Sequence, residues 1–250
     1  MMVIRHVEEP DATELSAPNY NFRYNPTKNR FEARRLIAGQ WYTEWARPAF
    51  NFEENFVGYL VSGLSMISQN VMYSGTVGGG SAAVLQEPTG GIRLTTGAGG
   101  GSSTYIGSGA GAIQNFYRPN KEVYSKFLTK IPDAPSLLYN DWFIGFYYDG
   151  DNYIGWNYIA DATIDQWFLI TRSGGVETTT KVGEPPTTDL ITLRLFFNGS
   201  LVRGWFDDRI VIEHTTNIPD ETMGLLCNCA NREAAVKNAD LTHISILNDL

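Results

Sequence analysis

Apolar and polar residues alternate along most of the segment 141–218, and Gly, Asn and Asp turns interrupt the alternation at short, regular intervals. Short strands of period two separated by tight turns are typical of antiparallel sandwiches and barrels. The pattern therefore predicts an all-β fold, an antiparallel jelly-roll β-sandwich, rather than a parallel α/β enzyme. A last alternating strand is predicted at 241–247, pairing near the first.

Three tight turns are predicted in the central segment, at residues 149–152, 173–175 and 198–199. Asn-Gly is the dipeptide preferred by a two-residue type I′ turn. With such a loop Leu195 would pair with Val202, and Phe197 with Ser200. The opposite face would then hold Arg194 across from Arg203, an unfavourable like-charge pair, which indicates either a solvated face or guanidinium groups that lie on an aromatic ring such as Trp205.

The first 50 residues differ from the rest because they are polar and rich in proline. Aromatic residues flank a turn at 25–29, which predicts a small hairpin, and a short strand follows at 41–45. We therefore divide the chain into an extended N-terminal arm (1–50) and a jelly-roll domain (51–250). The arm is either an ordinary edge strand of the sandwich or a docking element for assembly. The residues assigned to docking are Phe22, Tyr24, Phe31, Arg34 and Arg35.

Glycine is concentrated between residues 75 and 111, but the segment lacks the G-x-x-x-x-G-K-[ST] pattern of a phosphate-binding loop. Strands are predicted at 82–85 and 92–96, joined by wide glycine loops. Residues 122–131 alternate as a strand, although their apolar positions also fit one face of a helix.

Acidic residues outnumber basic ones, 27 to 19, which gives a net charge of -8. Binding nucleic acid requires clustered Lys and Arg, so no nucleic-acid partner is expected. The longest mostly apolar run is too short and too rich in glycine to span a bilayer, so no membrane partner is expected. Cys227 and Cys229 form a C-x-C pair without further soft ligands nearby, which predicts two half-buried free thiols.

No acidic triplet of the form E-x-D-x-E is present, although glycosidases need two facing carboxyl groups. The closest acid pairs, at 149/151 and 207/208, fall in predicted turns. The three histidines are not accompanied by a G-x-S-x-G nucleophile motif. These observations predict a protein that is not an enzyme, with a polysaccharide-degrading hydrolase as the less favoured alternative.

The aromatic residues of the first central hairpin could stack on sugar rings, with turn side chains anchoring the hydroxyls. The candidate carbohydrate-binding residues are Tyr147, Tyr148, Asp149, Asp151, Asn152, Tyr153 and Trp156. The alternative is that the rings fill the core, because residues 142–148 are apolar on both faces and indicate a strand covered on both sides. The one calcium candidate is the group Asp149, Asp151 and Asn152. The alternative is that these residues form a polar turn without a metal, and no other cofactor is expected.

The block WFLITRSGGVETTTKVG, followed by LRLFFNGSLVRGWFDDRIVIEHTTNIP, resembles the concanavalin-A-like lectin/glucanase jelly roll. More narrowly, it resembles the version found in bacteriophage virion proteins, which carries an R-x-G-G-x-x-T-T turn and a later T-T-N-I-P. The segment YNPTKNRFEARRL is similar to a hairpin unit of phage tail and fibre proteins. One departure is Asp207-Asp208, where the family usually has Asp-Gly.

The resemblance implies a non-enzymatic structural component of a phage-like virion, located in the virion as a capsid or tail decoration protein. Its partners would be other virion proteins and copies of itself, in a homo-oligomer for which a homotrimer is a common arrangement. The alternative is a tail receptor protein that binds a glycan of the host surface.

Deleting residues 1–40 is expected to leave a folded sandwich and to abolish assembly, because the arm is polar and bears prolines. Thermal unfolding would report the fold, and light scattering would report assembly. Loss of cooperative unfolding in the truncated chain would instead place the arm in the core.

Overall fold

The computed structural model describes residues 20–25, 30–37, 40–45, 50–54, 72–85, 91–108, 117–118, 121–132, 140–160, 165–183 and 188–248. Within these ranges every regular element is a β-strand and none is a helix, which confirms the all-β prediction. Accordingly, the described chain contains no helix long and apolar enough to cross a membrane.

The described residues form eighteen strands. Their bounds are β1 Tyr20–Asn25, β2 Arg30–Ile37, β3 Gln40–Trp45, β4 Phe50–Glu54, β5 Met72–Val77, β6 Gly80–Val84, β7 Ile92–Thr96, β8 Ser103–Ser108, β9 Val123–Lys130, β10 Asn140–Asp149, β11 Asn152–Ala160, β12 Asp165–Ser173, β13 Val176–Lys181, β14 Ile191–Phe197, β15 Val202–Phe206, β16 Ile210–His214, β17 Gly224–Asn231 and β18 Asn238–Asn248.

Two antiparallel sheets pack face to face as the predicted sandwich. The front sheet has seven strands in the order β13-β12-β11-β10-β17-β8-β5. The back sheet has eight strands. Seven of them follow the order β16-β15-β14-β9-β18-β7-β6, and the eighth, β4, pairs with β18. Inward-facing side chains of both sheets form one apolar core, whose largest members include Trp142, Trp156, Trp167 and Phe127. Alternation along each strand produces this core, because successive side chains point to opposite faces of a sheet.

Strands β1, β2 and β3 form a separate three-stranded antiparallel sheet. Tyr24 pairs with Phe31 across the first turn, so the predicted N-terminal hairpin is confirmed. In the part of the chain that the structure describes, these strands pair only with one another, whereas β4 already belongs to the back sheet. Phe22, Arg34 and Arg35 also lie on β1 and β2; their docking role stays a prediction.

The less regular segments also form strands. The predicted strands at 82–85 and 92–96 correspond to β6 and β7, and residues 122–131 form strand β9 rather than a helix. The last strand, β18, lies inside the back sheet, where it pairs with β9, β7 and β4. It therefore meets the first strand of the sandwich, β4, and not β1.

The predicted two-residue loop at Asn198-Gly199 is wrong. Phe197 pairs with Val202 and not with Ser200, so four residues, 198–201, form the loop. The side-chain oxygen of Asn198 accepts hydrogen bonds from the backbone N–H groups of Ser200 and Leu201, at 3.3 and 3.0 Å. This side-chain turn competes with the type I′ turn and moves the register by two residues. An even shift leaves each apolar side chain on its predicted face.

The corrected register also removes the predicted contact between two arginines. Arg194 lies opposite Trp205, and Arg203 lies opposite Phe196. The guanidinium carbon of Arg203 lies 5.9 Å from the centroid of the Trp205 ring, so the predicted contact with an aromatic ring is confirmed for this residue.

Arg194 is a buried charge that holds the turn between β15 and β16. Its side chain is only about 5% exposed; it donates to the Tyr124 hydroxyl at 2.9 Å and forms an ion pair with Asp208 at 2.9 Å. Asp207 and Asp208 have φ values of 49° and 57°, a left-handed conformation that usually favours glycine. Both positions are nevertheless Asp. The carboxylate of Asp208 forms the ion pair with Arg194, whose guanidinium would otherwise be buried without a counter-ion.

Cys227 and Cys229 lie on β17 and are free thiols, as predicted. Both are fully buried in the core rather than half-buried, because residues two apart on a strand share a face. Burial raises the pKa of the Cys227 thiol far above its usual range, so the thiol stays protonated and unreactive.

His214 joins the two sheets at one edge of the sandwich. Its Nδ1 lies 3.1 Å from the Thr171 hydroxyl on β12, and its Nε2 lies 2.9 Å from the Thr180 hydroxyl on β13. Thr171 donates to the carbonyl of Thr216 at 3.2 Å, so it accepts from His214 Nδ1–H, and Thr180 donates to Nε2. Burial lowers the pKa of His214, and this arrangement suits the neutral ring.

Acidification is expected to destabilise the sandwich through His214. Because its pKa is lower in the folded chain than in the unfolded chain, its stabilising effect is complete above about pH 6.5 and is lost as the pH falls through the folded pKa. The free energy of unfolding, measured in urea between pH 7 and pH 5, should fall less steeply in His214→Gln than in the natural chain. Equal slopes in the two proteins would contradict this role.

Candidate functional site

A groove lies on the outer face of the front sheet, in the middle of the strand order. It has a volume of about 170 Å³ and spans three adjacent strands, β17, β10 and β11. Its lining residues are Phe143, Tyr147, Tyr153, Asn157, Leu226 and Asn228. The pleat places them outside, because their chain neighbours Trp142, Ile144, Phe146, Ile154 and Trp156 are buried in the core.

A pair of glycines, called the glycine floor, lies between the groove-lining residues of β10 and β11. Gly145 on β10 pairs with Gly155 on β11, so no side chain rises from the sheet at this point. A Cβ atom on Gly145 would collide with the backbone oxygen of Ile154, and one on Gly155 would lie 2.6 Å from Cε2 of Phe143. The Phe143 ring therefore extends over Gly155, in space that a side chain at that position would take.

Three aromatic rings form the wall beside this floor. The rings of Phe143 and Tyr153 meet edge to face at 5.7 Å, and those of Tyr147 and Tyr153 are stacked at 6.2 Å. Tyr153 is held further by Glu177, which accepts its hydroxyl at 2.9 Å, and by Arg172, whose guanidinium carbon lies 5.8 Å from the ring centroid. These contacts fix the rings while leaving them partly exposed.

Both tyrosine hydroxyls of the groove remain protonated at neutral pH. Burial raises the pKa of Tyr147, and the negative charges of Asp149 and Asp151 raise it further. Burial is also the largest cause of the raised pKa of Tyr153. The hydroxyl of Tyr147 can therefore act as hydrogen-bond donor and acceptor toward a ligand, whereas that of Tyr153 already donates to Glu177.

Amide side chains flank the central ring. Asn228 and Asn157 are the cross-strand partners of Phe143 on either side. The side-chain oxygen of Asn157 is buried and accepts no hydrogen bond from the residues that the structure describes. A buried acceptor without a partner is costly, so this oxygen lowers the stability of the groove wall unless a neighbouring group pairs with it.

The structure brings together five of the seven predicted carbohydrate-binding residues. Tyr147 and Tyr153 line the groove, and Asp149, Asp151 and Asn152 form the turn at its end. The turn oxygens bind within the protein: Asp149 Oδ1 accepts from Asp151 N–H at 2.9 Å and from Asn152 Nδ2 at 3.0 Å. Asn152 Oδ1 accepts from the Gly174 N–H, and Asp151 pairs with Arg172 at 3.2 Å.

These contacts show that residues 149–152 form a polar turn, and calcium binding at this turn stays a prediction. Each of the three candidate side chains uses an oxygen that a cation would need. Among the described residues, no group of three His, Cys, Asp or Glu is placed to hold a metal ion.

Two predicted site residues lie elsewhere. Trp156 is fully buried in the core, where its indole N–H donates to the carbonyl of Arg194 at 3.0 Å, so its assignment to the surface site is wrong. Its position follows from the pleat, which turns Gly155 and Asn157 outward and Trp156 inward. Tyr148 is 45% exposed at the end of β10 and does not line the groove.

The sequence interpretation missed four lining residues: Phe143, Asn157, Leu226 and Asn228. A signal existed for Phe143, which alternation places on the same face as Tyr147. Leu226 and Asn228 could not be found in this way, because they come from β17, which pairs with β10 from far along the chain.

Several solved structures share this architecture. The chain matches a protein of unknown function, SO2946, from Shewanella oneidensis MR-1, with 14% identity, a TM-score of 0.59, and coverage of 80% of this chain and 87% of that one. It matches a native glycosidic hydrolase with 13% identity, a TM-score of 0.55, and coverage of 78% and 94%. It matches peanut lectin with 10% identity, a TM-score of 0.50, and coverage of 80% and 97%.

The fold is a concanavalin-A-like jelly roll. The resemblance noted in the sequence is thus confirmed at the level of the fold. No protein-family model matches the chain, and no curated protein matches it significantly. At these low identities the structural matches establish the fold alone, and a fold shared by a lectin and a hydrolase does not choose between binding and catalysis.

Replacing Gly145 by Ala should destabilise the front sheet by about 2 kcal/mol, because the new Cβ would overlap the backbone of β11. Gly150→Ala is the matched control, since nothing lies within 4 Å of a Cβ at that turn position. Urea unfolding compares the two variants. Equal stability would show that the glycine floor tolerates a side chain.

Proposed function

We propose that this chain is a carbohydrate-binding module and that its ligand lies in the groove of the front sheet. The observation that carries the proposal is the combination of partly exposed, fixed rings with amide side chains on both sides of the central ring. Aromatic rings pack against the C–H faces of sugars, and amide and phenol groups exchange hydrogen bonds with sugar hydroxyls. The fold shared with peanut lectin supports this function by analogy.

The module binds without cleaving its ligand. Hydrolysis of a glycosidic bond needs two carboxyl groups on opposite sides of the bond, and the six lining residues include none. The acid next to the wall, Glu177, accepts the hydroxyl of Tyr153. The proposed binding needs no metal, because the groove-lining rings and amides contact a glycan directly.

The module serves on a phage-like particle, as part of a tail or capsid surface. The support is the pair of sequence motifs that resemble phage virion proteins, which contact each other here. Asn217 of T-T-N-I-P donates to the Thr178 hydroxyl of R-x-G-G-x-x-T-T at 2.9 Å, and the Thr178 and Thr216 hydroxyls are 2.9 Å apart. The two motifs therefore form one structural unit at the edge of the sandwich.

A purely structural role in assembly is the second candidate. Strands β1–β3 form a sheet that, within the described ranges, shares no strand pairing with the sandwich. Such an element suits docking to other virion proteins or to copies of the chain in a homo-oligomer. In that case the groove would be unused, and glycans would not bind to it.

Phe143→Ala and Tyr147→Ala should each weaken glycan binding about tenfold, or about 1.4 kcal/mol, because each removes one stacking ring. Tyr148→Ala is the matched control, since this exposed tyrosine lies on the same strand but outside the groove. Glycan arrays would identify the ligand, calorimetry would measure affinity, and circular dichroism would verify folding.

Unchanged affinity in both groove variants would remove the groove as the binding site. Absence of binding to any glycan would favour the assembly role. Sustained release of reducing ends during incubation with the bound glycan would overturn the assignment as a non-enzymatic module.

A further inference from the structure

The segment around strand β13 reads nearly the same in both directions. Residues 175–183 are GVETTTKVG, with Thr179 at the centre and Gly, Val and Thr recurring at equal distances on either side. The single departure from this symmetry places an acid, Glu177, where the mirror position holds a base, Lys181. When two identical strands pair antiparallel about a two-fold axis, each residue meets its mirror position. The segment is therefore complementary to a second copy of itself.

Strand β13 ends the front sheet and is open to solvent. In the described strand order its one neighbour is β12. Five of its six residues are exposed, and the sixth, Thr178, is partly exposed. An edge strand leaves a row of backbone N–H and C=O groups without a partner in its sheet. Since Val176–Lys181 contains no proline, this edge can accept a further strand along its whole length.

The backbone hydrogen bonds fix which groups point away from the sheet. The N–H of Val182, just after β13, donates to the carbonyl of Trp167 on β12 at 2.9 Å. Along an antiparallel strand the backbone groups of successive residues point to alternate sides. The N–H and C=O groups of Glu177, Thr179 and Lys181 therefore point outward. Only registers that oppose outward residues to outward residues can form, and pairing about Thr179 is one of them.

The charges select this register from the possible ones. With Thr179 opposite Thr179, Glu177 of each copy lies opposite Lys181 of the other, so one contact contains the opposite-charge pair twice. Opposite charges at directly opposed positions stabilise a strand pair, and like charges destabilise it. A shift by two residues in either direction opposes neither charge to its opposite, and a shift by four brings Glu177 to Glu177 or Lys181 to Lys181. Glu177 keeps its contact with the groove wall, since Oε2 accepts the Tyr153 hydroxyl and a carboxylate has a second oxygen.

The same register covers an exposed apolar side chain. Val176 is 60% exposed at the start of β13. With the axis at Thr179 it lies opposite Val182 of the second copy, a residue of the core. Gly175 and Gly183 have φ values of 82° and 83°, so the extended backbone ends at mirror positions on either side. The length, charges and apolar residues of the edge thus all fit one centre of symmetry.

We infer that two copies of this chain form a dimer by pairing β13 with β13 about Thr179, which joins their front sheets into one continuous sheet. The outward-facing pairs provide about six backbone hydrogen bonds. A single strand pair buries less than the roughly 1,600 Å² of a standard interface, so we expect a weak dimer, with a Kd of about 10 to 100 µM. The axis is perpendicular to the sheet, so the outer faces of both front sheets, and with them both grooves, point in the same direction. The dimer itself does not depend on what the grooves bind.

Analytical ultracentrifugation of the full chain between about 1 µM and 1 mM tests the dimer. Lys181→Glu should weaken it about tenfold, because both charge pairs become acid against acid. Lys121→Glu is the matched control, since this lysine precedes β9 in the back sheet and makes the same change of charge away from β13. The control should leave the Kd within about twofold. Circular dichroism would verify the fold of each variant.

A residue on the axis meets itself, which gives a second and more specific test. Thr179→Lys and Thr179→Glu should each weaken the homodimer about fivefold, because like charges are then opposed at the centre. An equimolar mixture of the two variants should form a heterodimer that is tighter than either homodimer. Both substitutions lie at an exposed position outside the groove, so neither removes a groove-lining residue.

The outcomes decide between this interface and a solvated edge. A natural chain that remains monomeric at about 1 mM, or a dimer equally strong in Lys181→Glu and in Lys121→Glu, would overturn the interface. Loss of the dimer in both Thr179 variants without recovery in their mixture would contradict the axis, and with it the pairing of β13. Glycan binding is measured separately, so failure of the dimer leaves the proposed function of the groove untouched.

Discussion

Burial of the inward aromatic side chains of β10 and β11 is the constraint on which the rest of the structure depends. Trp142, Phe146 and Trp156 pack between the two sheets, where their removal from water is the main favourable contribution to folding. Because successive side chains of a strand point to opposite faces, the residues between these core residues must point outward. The groove is thus the reverse side of the core, and its rings are placed by the packing of their neighbours.

Polar contacts hold the margins of the sandwich, where the apolar core ends. Arg194 anchors the β15–β16 turn through Asp208, and His214 joins β16 to β12 and β13 through two threonine hydroxyls. Each contact buries a polar group that is costly without its partner, so each specifies geometry more than it adds stability. The same edge strand, β13, supplies Glu177 to Tyr153. The sandwich edge and the groove wall are therefore connected through one strand.

Glycine gives the front sheet a surface that side chains alone could not form. A strand with rings on both faces would normally be covered on both sides. Here the Gly145–Gly155 pair places no side chain on the outer face beside Phe143, and the Phe143 ring extends over Gly155. Polar residues from β17 and β11 line the groove, so the outer face remains accessible to a ligand and is not a second apolar core.

Several features could be predicted from the sequence because they depend on neighbouring residues. Alternation identified the strands from β10 to β16, and turn residues located the hairpins at 149–152 and 173–175. Local rules failed where a side chain competed with the backbone. At Asn198 the amide side chain accepted the hydrogen bonds that an Asn-Gly turn leaves to the backbone, and the register moved by two residues. The faces survived this error because the shift was even.

The candidate site shows most clearly which features the sequence determines and which features require the tertiary structure. By itself, the sequence determined that Tyr147 and Tyr153 belong to one hairpin, because turn position is a property of one short segment. Only the structure shows the irregularity between Tyr147 and Asp149 that pairs the two tyrosines. Only the tertiary structure decided that Trp156 is core and that β17 brings Asn228 beside Phe143. Pairing between distant strands depends on the packing of the whole sandwich, and no local pattern of residues encodes it.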